Sequence, residues 1–393
     1  MSKLIFHSRA KAEKDWECQR KRYYSYDYFD GIVKDNLTLD LFIGTVLHDG
    51  LAAIVTAHLD SGKVDIDLIS TVSRSLVKDT LVEYHAQAFI DGVLPEASTE
   101  HLHALEQSTL VEALLRGFYK HQWPAIIANY NIIVASEKET IYPHDISGKL
   151  NLKGPFVYCA KPDLLLEGPD GSIYFELKST GNKKVEWMNS WNNAPQVHGT
   201  AKAIEFTFKE APLGTIVQGM YKGSTMYGKF SSPLVYAYAT KGNPPFTKGS
   251  VSTEFKYGHK RTPVWELDGD VKSYIELFTP EQLSEQFPQT PLIFTKEDMA
   301  TDFFRQRAIR ERDVMLAKAE LDFSDITPEE KLGIMDKIFP QSFSKCTPSF
   351  GFSCEYERIC HGPAKDDPLS FGFIQKQHGH EQPYLDLAKE RLG

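Results

Sequence analysis

The sequence predicts an α/β fold, with a small mixed sheet flanked by helices and enlarged by helical insertions. Short runs rich in β-branched and aromatic residues occur at 131–136, 156–160 and 173–179, and such runs favour strands. Apolar residues recur at helical spacing over 41–59 and 296–320, which favours amphipathic helices. Together these patterns predict a mixed sheet with helices packed on it.

A tight hairpin lies at the centre of the predicted sheet. The segment Gly168-Pro169-Asp170-Gly171 is a strong turn signal, and it separates the apolar run 164–166 from the strand 173–179. This second strand alternates, so that Glu176 and Lys178 share one face and the other face carries apolar side chains. The turn would bring Asp163, which precedes the first strand, towards Glu176.

The remaining segments complete the predicted element order. Residues 9–30 begin as a helix, and 75–122 contain further helices. Residues 214–228 are predicted to form a helix, 234–240 a strand and 241–265 an extended loop. On the long helix 296–320, Phe304, Ala308 and Met315 are expected to share one face.

Length and composition indicate one elaborated globular domain over residues 1–393, with 41% hydrophobic and 25% charged residues. We divide it into an N-terminal part (1–60), a helical insertion (61–130), a core (131–240) and a C-terminal region (241–393). The chain has no run of the roughly 18 apolar residues that a membrane span needs and no secretory signal. We therefore expect no membrane association and a cytoplasmic location.

The net charge of −9 argues against general coating of nucleic acid. Residues 9–22 nevertheless form a local basic patch with six Lys and Arg against three acidic residues. A solvated helix face explains such a patch as well as a DNA contact does. Likewise, Trp187 and Trp191, close after Lys183 and Lys184, could stack on bases of a single strand or belong to the core.

Asp163, Glu176 and Lys178 are the residue types that phosphodiester hydrolysis requires. Carboxylates hold Mg²⁺ or Mn²⁺ and leave positions for water and phosphate oxygens, and the cation lowers the pKa of water and neutralises developing charge. A lysine positions the water and stabilises the transition state. The bland alternative is a charge pair on a surface strand, because a Glu-x-Lys tripeptide alone is common.

Pro162-Asp163, followed after twelve residues by Glu176-Leu177-Lys178, resembles the PD-(D/E)XK motif of the restriction-endonuclease-like superfamily. The resemblance is closest to its RecB-like branch, which includes CRISPR-associated and AddB-type iron–sulfur nucleases. That branch carries a G-x-x-x-H helix, which Gly44 to His48 matches. The resemblance implies a restriction-endonuclease-like core and a divalent cation held by His48, Asp163 and Glu176, since imidazole suits Mn²⁺.

Three further positions follow from the same resemblance. The branch has an acidic residue on an early strand, for which Glu137 is the best match. It also has a Q-x-x-x-Y helix, and here Gln218 and Tyr221 are one residue too close, with Tyr227 on the same predicted helix. Taken singly, each of these residues, and His48 as well, could instead be an ordinary packing or surface residue.

The cysteines supply the last match. Cys354 and Cys360 resemble the C-x-Y-x-x-x-C end of the iron–sulfur nuclease pattern, with Cys346 upstream after an insertion and Cys18 thirty residues before His48. The resemblance implies that these four thiolates hold a structural 4Fe–4S cluster joining the two ends of the chain. Zinc is the alternative metal. The remaining alternative is that the cysteines are buried free thiols that bind no metal. Cys159, within a strand, is expected in the core.

The resemblance implies a metal-dependent DNA nuclease, more readily an exonuclease on ends or single strands than an endonuclease. The sequence lacks a G-x-x-x-x-G-K-[ST] phosphate loop, so ATP-driven unwinding would come from a helicase or other processing partner. Two alternatives stay open. One is a catalytically silent nucleic-acid-binding or assembly subunit with this fold, and the other is a zinc-stabilised nuclease with endonuclease activity.

Overall fold

A computed structural model describes residues 5–34, 39–65, 67–75, 99–134, 138–144, 156–180, 184–222, 278–323, 325–346, 354–361, 368–375 and 382–392. The chain is mixed α/β, as predicted. Its strands are β1 (Ile5–Ser8), β2 (Ile32–Lys34), β3 (Asn131–Val134), β4 (Thr140–His144), β5 (Phe156–Ala160), β6 (Leu164–Gly168), β7 (Gly171–Thr180), β8 (Gly214–Tyr221), β9 (Ile293–Phe294) and β10 (Phe373–Gln375).

The helices fall into an N-terminal set and a C-terminal set around these strands. The first set is α1 (Arg9–Glu17), α2 (Gln19–Arg22), α3 (Leu39–Ser61), α4 (Thr99–His121), α5 (Trp123–Asn129), α6 (Lys184–Asn189) and α7 (Pro195–Phe208). The second is α8 (Pro280–Gln286), α9 (Glu297–Leu321), α10 (Pro328–Ile338), α11 (Phe343–Cys346), α12 (Glu357–His361) and α13 (Gln382–Leu392). Residues 67–75 are also helical.

The largest sheet among the described residues has the order β3-β6-β7-β8-β9. Strands β6 and β7 form the predicted antiparallel hairpin, and β7 pairs with β8 in parallel. A parallel pair needs a crossover connection, and helices α6 and α7 lie between the two strands in the chain. The hairpin turns at Gly171, whose φ of +131° is a conformation that favours glycine.

Both faces of this sheet are covered. Helices α3 and α4 pack on the face that carries Ile173, Phe175 and Leu177. Tyr174 and Val217 face helix α7 on the other side, with Trp187 and Trp191. The alternation of the sequence predicted one apolar face for this strand. The structure buries the other face as well, with Tyr174 in a separate core cluster. The two tryptophans are 5% and 8% exposed, which places them in the core and not on an open stacking surface.

A second sheet has the order β1-β5-β4, with β1 parallel and β4 antiparallel to β5. Cys159 lies on β5 and is buried, as expected. The two ends of the chain also meet, since β2 pairs with β10 and Tyr356 donates a hydrogen bond to the carbonyl of Ile32. The N- and C-terminal regions are therefore in contact, whereas the cysteine-ligated cluster that was expected to join them stays a prediction.

Several predicted elements differ from the structure or lie outside its described residues. The helix predicted over 214–228 is wrong in its described part, because Gly214–Tyr221 is strand β8, and residues 223–228 lie outside the described residues. On α9, Phe304 and Ala308 are buried but Met315 is 39% exposed, and Val314 takes the inward position instead. The predicted strand 234–240, the loop 241–265, Glu137, Tyr227 and Lys183 all lie outside the described residues. The helix at 41–59 is confirmed as α3, with bounds two residues wider at each end.

No helix among the described residues is long and apolar enough to cross a membrane.

Candidate active site and cysteine group

Four side chains that the sequence singled out lie around one end of the β6–β7 hairpin: His48, Asp163, Glu176 and Lys178, here called the hairpin site. The hairpin register pairs Leu164 with Phe175, and Asp163 and Glu176 are the next residues beyond this pair. Asp163 accepts a hydrogen bond from the Leu177 N–H, which keeps the two carboxylates at the same end of the hairpin. That they share one divalent cation stays a prediction.

Helix α3 carries His48 to this position. Its apolar residues recur every three or four positions and are buried against the sheet, at Ile43, Val46, Leu47, Leu51, Ile54 and Val55. This packing leaves the imidazole at the end of the hairpin, where its Nδ1 lies 2.6 Å from Asp163 Oδ1. The other Asp163 oxygen, Oδ2, accepts a 2.6 Å hydrogen bond from the backbone N–H of Leu177.

Glu176 and Lys178 form the other half of the hairpin site. Lys178 Nζ lies 2.5 Å from Glu176 Oε1, and both side chains are less than one-fifth exposed. Glu176 Oε2 is buried and has no hydrogen-bond partner among the described residues. A buried carboxylate oxygen without a partner destabilises the fold. This oxygen is therefore available to ligate a cation or to accept a hydrogen bond from a bound molecule.

The charges at the hairpin site are coupled. Burial opposes protonation of His48, but its hydrogen bond to Asp163 and the charge of Asp163 outweigh burial, so the pKa of His48 is raised. Lys178 acts against this rise and Glu176 adds to it. His48 thus responds to all three other members of the site.

Arg9, which sequence analysis placed only within a basic patch, is ion-paired with Glu13 and lies near buried residues of the central sheet. It directly follows β1, whose last residue pairs in parallel with Cys159, and β5 ends three residues before Asp163. Its guanidinium lies 5.8 Å from the centroid of the Trp191 ring. Burial raises the pKa of Tyr158 to about 12, Arg9 opposes that rise and Glu176 adds to it. Arg9, at the start of the basic patch, and Glu176 of the hairpin site thus act with opposite sign on the same buried tyrosine.

Gln218 and Tyr221 do not join the hairpin site in the way predicted. Both lie on strand β8 and are buried. The Gln218 amide donates to the carbonyls of Gly219 and Pro288 and accepts from Gln289, so it ties β8 to the segment after α8. Three successive β-branched or apolar residues, Thr215, Ile216 and Val217, were the sequence signal for a strand.

Cys18, Cys346, Cys354 and Cys360, here called the cysteine group, lie near one another. The Cys354 N–H donates to the Cys346 carbonyl at 2.9 Å. The Ser342 N–H donates to the Cys18 sulfur at 3.4 Å, and the Cys346 thiol donates to the Ser342 carbonyl at 3.6 Å. Helices α2, α11 and α12 thus bring together cysteines that are more than 300 residues apart in the chain.

The electrostatics of the thiols reflects this proximity. Burial raises the pKa of Cys360 to about 12; Arg20 opposes the rise, and negative charge on the other three cysteines of the group adds to it. Burial and neighbouring thiolates raise the pKa values of Cys346 and Cys354 as well. Mutual repulsion of this kind is what a bound cation would relieve.

Neither group is arranged as a complete metal site. Among the described residues, no three His, Cys, Asp or Glu side chains are grouped so that they could hold a metal ion as they stand. At the hairpin site, the His48–Asp163 and Lys178–Glu176 bonds occupy the candidate ligands. In the cysteine group the sulfurs are near enough to affect one another's pKa but are not gathered around a common point.

No protein-family model matches this chain, and no curated protein matches it either.

Proposed function

We propose that this chain is a metal-dependent DNA nuclease with a restriction-endonuclease-like core of the PD-(D/E)XK type, similar to the RecB-like branch. We further propose that it acts as an exonuclease on DNA ends or single strands. The observation that supports this most is the convergence of His48, Asp163, Glu176 and Lys178 at one end of the hairpin. These are the ligand and charge types that divalent-cation phosphodiester hydrolysis requires.

The residues at the hairpin site fit a divalent cation by their chemistry. Two carboxylates and a neutral imidazole form an oxygen-and-nitrogen donor set that suits Mn²⁺ and, through the carboxylates, Mg²⁺. Glu176 Oε2 has no other partner among the described residues. Asp163 and Glu176 would hold the cation and His48 would complete its ligands, which requires the His48–Asp163 hydrogen bond to be given up.

When bound, a divalent cation supplies charge neutralisation at the phosphate and a lower pKa for water. The chain's own groups would do the rest. Lys178, released from Glu176, would hold the attacking water and stabilise negative charge on the phosphate oxygens. The Leu177 N–H keeps Asp163 oriented through a bond that needs no rearrangement. Arg9 would bind a phosphate of the incoming strand.

The experiment is a digestion assay on end-labelled single-stranded, duplex and circular DNA with Mg²⁺, Mn²⁺ or a chelator. We expect degradation of linear DNA that needs the cation and is abolished by Lys178→Ala and by Glu176→Gln. Glu167→Gln is the matched control, because Glu167 lies on the same hairpin but is exposed. Protection of circular DNA would assign the exonuclease mode, and its cleavage would assign an endonuclease.

If Glu167→Gln loses activity as well as Glu176→Gln, the loss reflects damage to the hairpin as a whole and does not identify Glu176 as a member of the active site. If the wild-type chain binds DNA but leaves every substrate intact with either cation, the nuclease proposal fails. The alternative of a silent binding or assembly subunit would then stand.

We also propose that the cysteine group holds a structural 4Fe–4S cluster, with zinc as the alternative metal. The four cysteines lie near one another, and four cysteine side chains are a ligand set that suits a 4Fe–4S cluster or a zinc ion. Its position between α2, α11 and α12 would make it a clip between the two chain ends, where closing a long loop contributes most.

Metal analysis and visible absorbance of anaerobically purified protein test this second proposal. Iron and sulfide with a broad absorbance in the visible blue indicate the cluster, whereas a colourless protein with stoichiometric zinc indicates the alternative. Cys360→Ser should lose the metal and Cys159→Ser, at a buried cysteine outside the group, should retain it. Retention of iron or zinc by Cys18→Ser and Cys360→Ser alike would exclude both metals from this group.

A further inference from the structure

An open groove of about 830 Å³ lies between helices α9 and α10 and the connection that joins them. Its floor is apolar and includes Ala317, Ile334 and Ile338. The floor is continuous with the core that packs the two chain ends together, which contains Ala317 and has Ile334 and Ile338 packed against it. The groove is therefore built on firmly packed helices.

Large apolar side chains stand exposed along the groove. Phe323 is 69% exposed and Leu316 is 54% exposed, and both line it. Leu332, on the neighbouring part of α10, is 52% exposed. Single exposed apolar residues such as Leu332 are ordinary, but Leu316 and Phe323 line one concave surface, and exposed apolar side chains in a groove are typical of an interaction site.

The rim of the groove is acidic. Four acidic residues line it, against the single base Lys337: Asp313, Glu320, Asp325 and Glu330. Asp313 is paired with Arg312, whereas Glu330 caps its own helix through Thr327 and keeps its charge. The surface thus combines an apolar floor with a negative border, a pattern that phosphate backbones avoid.

We propose that this groove binds a basic amphipathic helix of a partner protein. Apolar residues on one stripe of that helix would contact Leu316 and Phe323, and Lys or Arg beside the stripe would face the acidic rim. A third helix suits this groove because side chains on a helix surface form ridges that pack into the grooves of neighbouring helices. A second copy of this chain is disfavoured as the occupant, since each copy carries a net charge of −9.

Substitutions at Gly333 can alter the groove without disturbing the packing of the fold. It lines the groove, and a Cβ built there would meet nothing within 4 Å. Gly333→Arg therefore places a long cationic side chain in the proposed binding space, and Gly333→Ala adds only a methyl group. Both changes should preserve or raise helix stability, because glycine is a poor helix former. Phe323→Ser removes the exposed ring and is also compatible with folding.

The probe is a fluorescent synthetic helix of leucine and lysine, about 14 residues or four turns long, and its binding to the full chain is measured by anisotropy. The same peptide with Glu in place of Lys is the charge control. We expect the lysine peptide to bind, the glutamate peptide not to bind, and added salt to weaken the complex. Gly333→Arg and Phe323→Ser should weaken it by at least about tenfold, as loss of a central anchor does, and Gly333→Ala should not.

Equal affinity of the lysine peptide for wild type and Gly333→Arg would overturn the proposal, and so would equal binding of both peptides or no binding of either. A wild-type dimer that Phe323→Ser converts to a monomer would assign the groove to a second copy instead. None of these outcomes depends on whether the chain cleaves DNA.

Discussion

The two carboxylate oxygens of Glu176 have different surroundings. Oε1 is paired with Lys178, and Oε2 is buried without a partner among the described residues. Leaving a buried acceptor unsatisfied costs about 1–3 kcal/mol, and local violations of this kind concentrate at functional sites. At the residue scale, the hairpin site therefore differs from an ordinary surface charge pair, in which both oxygens would be hydrated.

Gly44 lies one helical turn before His48, on the same side of α3. A Cβ at Gly44 would meet nothing within 4 Å, so packing does not require glycine there. We expect Gly44→Ala to raise the free energy of unfolding by up to about 1 kcal/mol with DNA cleavage retained. Gly44→Leu should keep that stability but reduce cleavage, because its side chain would occupy the space beside the imidazole.

Urea unfolding and the digestion assay together check this pair of variants. If Gly44→Leu cleaves as well as Gly44→Ala, the open space beside His48 is not used by the substrate.

Arg9 lies over the Trp191 ring, is ion-paired with Glu13 and is one-third exposed. If it contacts a DNA phosphate, Arg9→Ala should weaken binding of single-stranded DNA and reduce the slope of log affinity against log salt by about one. Arg305→Ala, at an exposed arginine of α9 paired with Asp302, is the matched control. An unchanged salt slope in Arg9→Ala would remove Arg9 from the DNA surface.

At the scale of elements, the hairpin was predictable and strand β8 was not. Alternation and a Gly-Pro-Asp-Gly turn are local signals, and both are present between Asp163 and Ser179. Strand β8 is buried on both faces between β7 and β9, so its sequence does not alternate. The short stretch from Gln218 to Tyr221 resembles a helical motif, whereas the β-branched residues Thr215, Ile216 and Val217 before it favour a strand.

Gly171 tests the hairpin as an element. Its φ of +131° is strained for other residues, and a Cβ there would lie 3.2 Å from Leu213. We expect Gly171→Ala to lower the free energy of unfolding by about 1–3 kcal/mol, measured in urea. Gly333→Ala, within an open helix position, should have the opposite sign. Equal stability of Gly171→Ala and wild type would show that the turn relaxes without loss.

At the scale of the whole molecule, buried charges join the N-terminal helices to α9. Glu311 bonds to His7, Lys11 and Arg22, and all of these except Lys11 are almost fully buried. Asp15 forms a second centre with three arginines: Arg22, Arg307 and Arg310. Removing one partner of such a network is expected to cost about 3–5 kcal/mol, so the network makes the position of the N-terminal segment depend on α9.

This network predicts a pH dependence of stability. Burial lowers the pKa of His7 to about 4, against the opposing effect of Glu311. Burial opposes ionisation of Glu311, but Lys11 and Arg22 outweigh it and hold its pKa well below the usual value. Both groups bind protons more readily in the unfolded chain, so stability is full above about pH 6.5 and falls as the pH decreases towards 4.

The His7 contribution to this loss is on the order of 3 kcal/mol, and His198, whose pKa burial also lowers, adds with the same sign. His7→Phe keeps the ring contacts with Phe156 and Phe303 but removes the titrating group. Chemical unfolding of both proteins between pH 7 and pH 4 should show a smaller decrease for the variant. Parallel stability curves would exclude His7 from the pH dependence.

Local patterns in the sequence determined the α/β class, the hairpin, helix α3 and the residue types of the hairpin site. Each depends on side-chain periodicity or turn chemistry within a few residues. Only the tertiary structure decided that β8 is a doubly buried strand, that both tryptophans are core, and that Arg9 lies over the Trp191 ring. It also decided the buried charge network and the acidic groove. These features arise from contacts between segments up to about 300 residues apart, and no short-range pattern encodes such pairings.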